Sequence, residues 1–231
     1  MKYPRFLIVT TLAPLFLLAC DDDDDGPTGT QQFTNMRIIN ASPTTASASV
    51  AVGGQTLGTV AFRAGSATCV QVPVGSQTVS FASGGSNVAT TPAFNFQNAQ
   101  NATVVLFGTG TTRTATVFAD NFNAAQTGMN QLRFINAQAA AGDVFVTTPT
   151  GTITGTPSAS VAIGAASTGG SAGFLSFPTA NTRIRLFNTG ATTNPRADFT
   201  LGTLPSSRTQ TIVFVEAGTP AGATAFAVDP C

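Results

Sequence analysis

Arg37-Ile38-Ile39-Asn40-Ala41 and Arg133-Phe134-Ile135-Asn136-Ala137 are one phrase written twice, 96 residues apart. Each is an apolar run of strand length that opens on a cation and closes on an asparagine, and such runs bounded by turn residues read as buried β-strands. The copying continues. Thr103-Val104-Val105-Leu106-Phe107 corresponds to Thr211-Ile212-Val213-Phe214-Val215, and Phe118-Ala119-Asp120 to Ala227-Val228-Asp229, at offsets of 108 and 109. An offset that grows along the chain means longer loops in the second copy, and a period near 100 residues means two modules.

Between these landmarks the text keeps the same rhythm of short apolar or alternating runs stopped by Gly, Pro, Asn or Ser. Strands are expected at 36–41, 48–52, 57–62, 69–74, 77–82, 102–107 and 114–119. They return at 131–137, 143–147, 160–163, 172–177, 182–188, 209–216 and 223–228. No window of a dozen residues holds a 3.6-residue period, so helix is confined to short turns such as one within 121–130. The fold class is all-β, with two tandem immunoglobulin-like β-sandwiches at 35–122 and 131–231 joined by a polar boundary at 121–130. Sixteen phenylalanines beyond residue 19 supply the core. Phe62, Phe81, Phe107, Phe134, Phe145, Phe187 and Phe214 sit inside strand runs, and each removes roughly 150–250 Å² from water on burial.

The start of the chain carries an address. Lys2 and Arg5 precede an apolar run of 13 residues, Phe6 to Leu18, and then Leu17-Leu18-Ala19-Cys20. That run is shorter than the roughly 20 residues a helix needs to cross a bilayer, so cleavage after residue 19 is expected rather than a retained anchor. Leu-Leu-Ala-Cys resembles the bacterial lipobox, which makes Cys20 the lipidated first residue of the mature protein. Asp21 to Asp25 follow, then Gly26-Pro27-Thr28-Gly29-Thr30. Five adjacent carboxylates repel one another, so 20–34 is expected to be a solvated leash. Its position resembles acidic export signals that carry lipoproteins to the outer face of the outer membrane, whereas an aspartate directly after the cysteine resembles an inner-membrane retention signal. The expected address is the cell envelope, lipid-anchored, in the outer membrane and exposed at the surface.

Composition narrows the chemistry. Beyond the aspartate run, eight arginines face five acids (Asp120, Asp143, Asp198, Glu216, Asp229), a net of +3 that becomes −2 with the run. The arginines are scattered rather than clustered, which argues against a nucleic-acid partner. Beyond residue 19 there is no His, Trp, Tyr or Lys. The commonest general base, the commonest transition-metal ligand and the Schiff-base amine are therefore missing. No cofactor, metal site or catalytic residue is expected, and a carboxylate pair of the glycosidase kind finds no favourable spacing among the five acids.

With Cys20 committed to lipid, Cys69 and Cys231 are left as a disulfide pair, the usual fate of two thiols outside the cytoplasm, or as free thiols. In 68–74 the valines share one face and Cys69 lies with Gln71 on the other, exposed face. Gly53-Gly54 supplies the positive φ angles of a tight hairpin turn. Ser83-Gly84-Gly85-Ser86 and Gly108-Thr109-Gly110 are turns too, since neither precedes a helix. Asn101-Ala102-Thr103 has the form of a glycosylation acceptor but reads as chance in a bacterial lipoprotein. Arg37 and Arg133 open equivalent strands. They are expected to pair with acids near the module ends, such as Asp120 and Asp229, or alternatively to contact a ligand.

Arg37-Ile38-Ile39-Asn40-Ala41-Ser42-Pro43, Val50-Ala51-Val52-Gly53-Gly54 and Val74-Gly75-Ser76-Gln77-Thr78-Val79-Ser80-Phe81 together resemble the bacterial domain-of-unknown-function family numbered 4397. A second copy resembles it through Arg133-Phe134-Ile135-Asn136-Ala137 and Gly142-Asp143-Val144-Phe145-Val146. The first copy has Ser49 and Ala51 where the family has Asp and Tyr, and the second lacks the Ser-Pro turn. The resemblance implies secreted, often lipid-anchored sandwich modules and offers no catalytic residues. The functional expectation is a non-enzymatic envelope lipoprotein, a spacer or interaction module held to the membrane by its N-terminal lipid and contacting an envelope protein or polymer. A glycan-binding or small-ligand module is the alternative.

Overall fold

Successive side chains of a strand point to opposite faces, so a run that is apolar throughout must be covered on both sides. The strands that decide this fold carry apolar residues at successive positions, such as Ile38-Ile39 and Phe134-Ile135, and are covered in that way. The computed structural model describes residues 31–201, 208–216 and 224–231. Over them the chain is all-β, with nineteen strands and no helix.

The first half contains β1 (Phe33–Asn40), β2 (Ser47–Val52), β3 (Gln55–Ala61), β4 (Ala64–Gly65), β5 (Val70–Pro73), β6 (Gly75–Gln77), β7 (Val79–Ser83), β8 (Ser86–Thr90), β9 (Phe94–Phe96), β10 (Ala102–Phe107) and β11 (Thr114–Ala119). The second contains β12 (Met129–Ala137), β13 (Gly142–Thr147), β14 (Ala159–Val161), β15 (Leu175–Pro178), β16 (Arg183–Asn188), β17 (Ala197–Thr200), β18 (Thr209–Val215) and β19 (Thr224–Val228). In the first half one sheet runs β11-β10-β1 with β4 and β5 on the far side of β1, a second runs β3-β2-β7-β8, and β6 pairs with β9 in a two-stranded third. The second half repeats the two larger sheets, as β19-β18-β12-β15 and β14-β13-β16-β17. In both, the first strand lies parallel to the penultimate one, Arg37 beside Thr103 and Arg133 beside Thr211.

Three cores follow from the alternation. Met36, Ile38, Val104 and Leu106 turn inward to meet Val50, Val79 and Phe81 of the facing sheet. Leu132, Phe134, Ile212 and Phe214 meet Val144, Ile184 and Leu186 likewise. The intervening residues form the third core. Ile39, Ala41, Val105 and Phe107 pack against Ile135, Ala137, Val213 and Val215, joining the two halves back to back through the sheets that hold the parallel pairs. The four larger sheets are therefore stacked, and the inner two are covered on both faces, which is why every residue over 38–40, 102–107, 130–137 and 210–215 is buried.

The strand order departs from the immunoglobulin order expected from the sequence. In that order the third strand leaves its hairpin partner for the opposite sheet; here β3 stays paired with β2. The cause lies in the turn. Gly53 and Gly54 both take positive φ (56° and 85°), the geometry of a two-residue hairpin, which leaves no chain with which to cross to a facing sheet about 10 Å away. The short strands β4, β8, β9 and β17 escaped the sequence reading because they are half-exposed or contain polar residues such as Ser86-Asn87 and Asp198. The 121–130 boundary contains no helix, and β12 begins inside it at Met129. Phe145 and Phe187 belong to neither sandwich core. They meet edge to face, 5.6 Å apart, on the outer face of the β13–β16 sheet.

Cys69 precedes β5 and Cys231 follows β19, and the two are joined with their Cα atoms 5.9 Å apart across 162 residues of sequence. This bond ties the end of the second sandwich to the first. Chain entropy alone puts an upper figure of about 5 kcal/mol on a loop of that size. We expect Cys69→Ser/Cys231→Ser to lower stability by about 2–5 kcal/mol in urea unfolding; an unchanged midpoint would show that the non-covalent contacts between the halves suffice without the bond.

Candidate functional site

The proposed lipid-bearing Cys20, the signal sequence before it and the aspartate run after it lie outside the described residues. The other residues singled out by sequence are scattered over the body, and most have structural work. Asn40 ends β1 and donates from Nδ2 to the carbonyls of Thr45 (2.8 Å) and Val60 (3.4 Å), while its Oδ1 accepts from the Ser42 amide. Asn136 does the same at the end of β12, donating to Ala140 and Val161 and accepting from Gln138. The repeated asparagine is thus a turn-forming clasp in both halves, buried and fully paired.

Arg37 and Arg133 have diverged. Arg37 donates from Nη1 to the Ser66 carbonyl (2.6 Å), and its charge reaches Asp229. Arg133 is fully buried between the halves, and both it and Asp120 have 0% side-chain exposure. Its Nη1 lies 2.7 Å from Asp120 Oδ1, a charge contact off the hydrogen-bond axis, and also donates to the Ala119 carbonyl at 3.2 Å. Its Nη2 donates to Thr103 and Thr211, both at 3.0 Å, one hydroxyl from each half. Thr103 in turn donates to Asp120 Oδ2 (2.7 Å), and the guanidinium lies 4.5 Å over the Phe174 ring. Burial pulls Arg133 below the ordinary arginine value, and Asp120 opposes that pull. Gly173, next to this arginine, has no room for a side chain of its own. With φ at +79° it brings its backbone so close that a Cβ there would sit 2.3 Å from the Ser167 carbonyl oxygen and 3.6 Å from Arg133 Cδ.

Each of the five dispersed acids is engaged at a different place. Asp120 holds Arg133, and Asp143 accepts from Ser160 Oγ (2.6 Å) and the Gly190 amide (2.7 Å). Asp198 is gripped by both arms of Arg183, Glu216 accepts from the Ala139 amide, and Asp229 accepts from Arg208 and Gln210. No group of three or more potential metal ligands occurs among the described residues.

What the sequence reading did not single out is the outer face of the β13–β16 sheet. Alternation along Arg183-Ile184-Arg185-Leu186-Phe187 turns both arginines and the phenylalanine outward, while Ile184 and Leu186 enter the core. They line an open hollow of about 310 Å³ together with Thr152, Thr192 and Asp198. Arg185 is nearly buried, donates from Nη2 to Thr147 Oγ1 and the Gly151 carbonyl (both 2.8 Å), and keeps a buried Nε without a partner. None of the ion pairs among the described residues involves it. Burial, then the charge of Arg183, lowers its pKa from the ordinary arginine value. The strand registers make the first sandwich an internal comparison. Val50 opposite Phe81 matches Val144 opposite Leu186, so the outward neighbours Ser49, Ala51, Ser80 and Ala82 stand where Asp143, Phe145, Arg185 and Phe187 stand. The signal was legible as charges at alternate positions ending in an aromatic.

Residues 34–147 match the family model described as "Domain of unknown function (DUF4397)". The match runs from within β1 through the whole first sandwich and on to the last residue of β13. It therefore crosses into the second sandwich, whose β12 and β13 pair only with strands beyond residue 147. No curated protein matches the chain.

Removing one partner of a buried ion pair strands the other charge, at a cost of about 3–5 kcal/mol, whereas replacing both by apolar groups is often neutral. Arg133→Ala should therefore destabilise the protein by that amount in urea unfolding, and Arg133→Met/Asp120→Leu should restore most of the loss. A cost for Arg133→Ala below about 1 kcal/mol would contradict the geometry. A second expectation concerns acid. The hydrogen bonds from Arg183 hold Asp198 below the ordinary carboxylate range. Burial raises Asp229, but bonds from Gln210 and Arg208 and the charges of Arg208 and Arg37 outweigh it and hold it low. Carboxyls depressed in the folded state stabilise it fully above the unfolded value of about 4 and lose that effect as pH falls through the folded value. Melting temperatures taken below about pH 4 should fall less steeply for Asp198→Asn/Asp229→Asn than for the parent.

Proposed function

We propose that this chain, whose residues 34–147 match the DUF4397 family model, is a non-enzymatic lipoprotein of the bacterial cell envelope, in which two sandwiches of one kind are docked as a rigid body. Diacylation of Cys20 anchors the protein, the aspartate run holds the body clear of the membrane, and the stacked sandwiches act as a spacer and interaction module toward an envelope protein or polymer. The observation that carries this reading is the buried Arg133–Asp120 contact between the halves. A charge fixed in that way is met by one docking geometry, and two domains free to swing would leave it unpaired in a low-dielectric site. With sheets about 10 Å apart, the stack places its two outer faces roughly 30 Å from each other.

Support for a non-catalytic role comes from the chemistry of the side chains. Residues 20–231 contain no histidine, lysine, tyrosine or tryptophan, and the five acids of the body are all committed to internal partners. Support for a second domain comes from the pairing order of β12–β19, which repeats that of the first half, and from the matching asparagine clasps. The address rests on Leu17-Leu18-Ala19-Cys20 and the acidic run behind it.

Mass spectrometry of the membrane-extracted protein tests the anchor. The expected N-terminal peptide begins at Cys20 and carries a diacylglyceryl group, and Cys20→Ser should release the body from the membrane fraction. An uncut leader, or an unmodified Cys20 on a membrane-free protein, would overturn the address. Protease shaving of intact cells combined with cross-linking then identifies the surface and what touches it.

A further inference from the structure

We propose that the hollow on the outer face of the β13–β16 sheet is a binding site for a singly charged carboxylate ligand, with Arg185 as its anion-recognising residue. The inference holds whether or not the chain is lipid-anchored, because it concerns only side chains of the second sandwich.

Three observations carry it. First, Arg185 is nearly buried beside an open hollow and has no acid of its own; its Nη2 is spent on Thr147 and the Gly151 carbonyl and its Nε is buried, so Nη1 is the nitrogen left to meet a ligand. A guanidinium held in that state meets a carboxylate better than it meets water, since a charge-assisted bond from a preorganised donor is short and strong. Second, the charges add to the right total. Arg183 and Arg185 contribute two positive charges and Asp198 one negative, a local balance of +1 that a single carboxylate neutralises. A doubly charged phosphate would carry excess charge toward Asp198. Third, folding does not require this chemistry. The first sandwich has the same strand pairing with Ser80 and Ala82 where the second has Arg185 and Phe187, and Ser49 and Ala51 where the second has Asp143 and Phe145. An arginine placed on an outer face where serine serves the same sheet is an addition beyond the needs of the core.

The rest of the hollow suggests what accompanies the carboxylate. Thr152 and Thr192 are exposed on its walls and offer hydroxyls. Asp198 keeps acceptor capacity beside them, while Phe187 closes the floor. Such a setting fits a small hydroxylated acid, either free or as the terminal residue of an acidic saccharide.

Calorimetric titration of the intact purified protein at low salt tests the site with three probes: sodium galacturonate, galactose and sodium acetate. Galacturonate should bind at least about ten-fold more tightly than galactose, the same ring without the charge, and the difference should shrink as salt is added. Acetate binding as well as galacturonate would identify the carboxylate alone as the ligand. Preference for galacturonate over acetate would identify the sugar acid. Arg185→Gln should abolish the preference of galacturonate over galactose. Because that arginine also bonds the Gly151 carbonyl, a second variant guards against a folding defect. Asp198→Asn, at an exposed position, raises the local balance to +2 and frees the Arg183 fork, so it should tighten galacturonate binding several-fold. Equal affinity for galacturonate and galactose, no binding of either carboxylate, or galacturonate binding unmoved by Asp198→Asn would overturn the proposal.

Discussion

A guanidinium with no exposed surface must find partners for its charge, or the structure around it will not form. Arg133 finds them from both halves of the molecule at once. Asp120, Thr103 and the Ala119 carbonyl come from the first sandwich, and Thr211 and the ring of Phe174 come from the second. These partners converge only in one relative placement of the sandwiches. The apolar third core supplies the larger share of the attraction between halves but is non-directional, since an apolar face tolerates small rotations and slips. The ion pair and its hydroxyls add the directional constraint that selects one docking geometry, and the Cys69–Cys231 bond closes the same interface covalently.

This arrangement explains an asymmetry between two equivalent residues. Arg37 occupies in β1 the place that Arg133 occupies in β12, yet only Arg133 has an acid buried against it. The acid that corresponds to Asp120 in the second half, Asp229, is taken by Arg208 and Gln210 near the surface, and Arg37 turns to the Ser66 carbonyl instead. Among the described residues the interface thus holds one buried ion pair rather than two, which halves the desolvation cost while keeping the orientation defined.

The sequence made the strands of the inner sheets legible because each carries a short apolar run; β10 and β11 were read to the residue, and β1, β12 and β18 to within three residues at each end. Apolar residues at successive positions, such as Ile38-Ile39 and Val104-Val105, also imply a further layer, since a strand buried on both sides needs cover behind it. Edge strands such as β8 and β17 were not legible, because polar residues on a half-exposed strand resemble those of a loop. Strand order was hidden for a different reason: which sheet β3 joins is decided by the two positive-φ glycines of one turn, not by any periodicity. Of the candidate site, the alternation Arg183-Ile184-Arg185-Leu186-Phe187 was visible, but only the pairing with β13 shows that Ser80 and Ala82 are its counterparts. Those counterparts are what separate the requirement of the fold from the additional chemistry.

The claim on which the functional reading depends is that the two sandwiches tumble as one object. Residual dipolar couplings measured on backbone amides report the orientation of each strand relative to a common alignment frame. If the account holds, couplings from β1–β11 and from β12–β18 fit a single alignment tensor of one magnitude and orientation. Two tensors of different magnitude would mean that the halves reorient independently, and neither the spacer role nor the geometry assigned to Arg133 would survive that result.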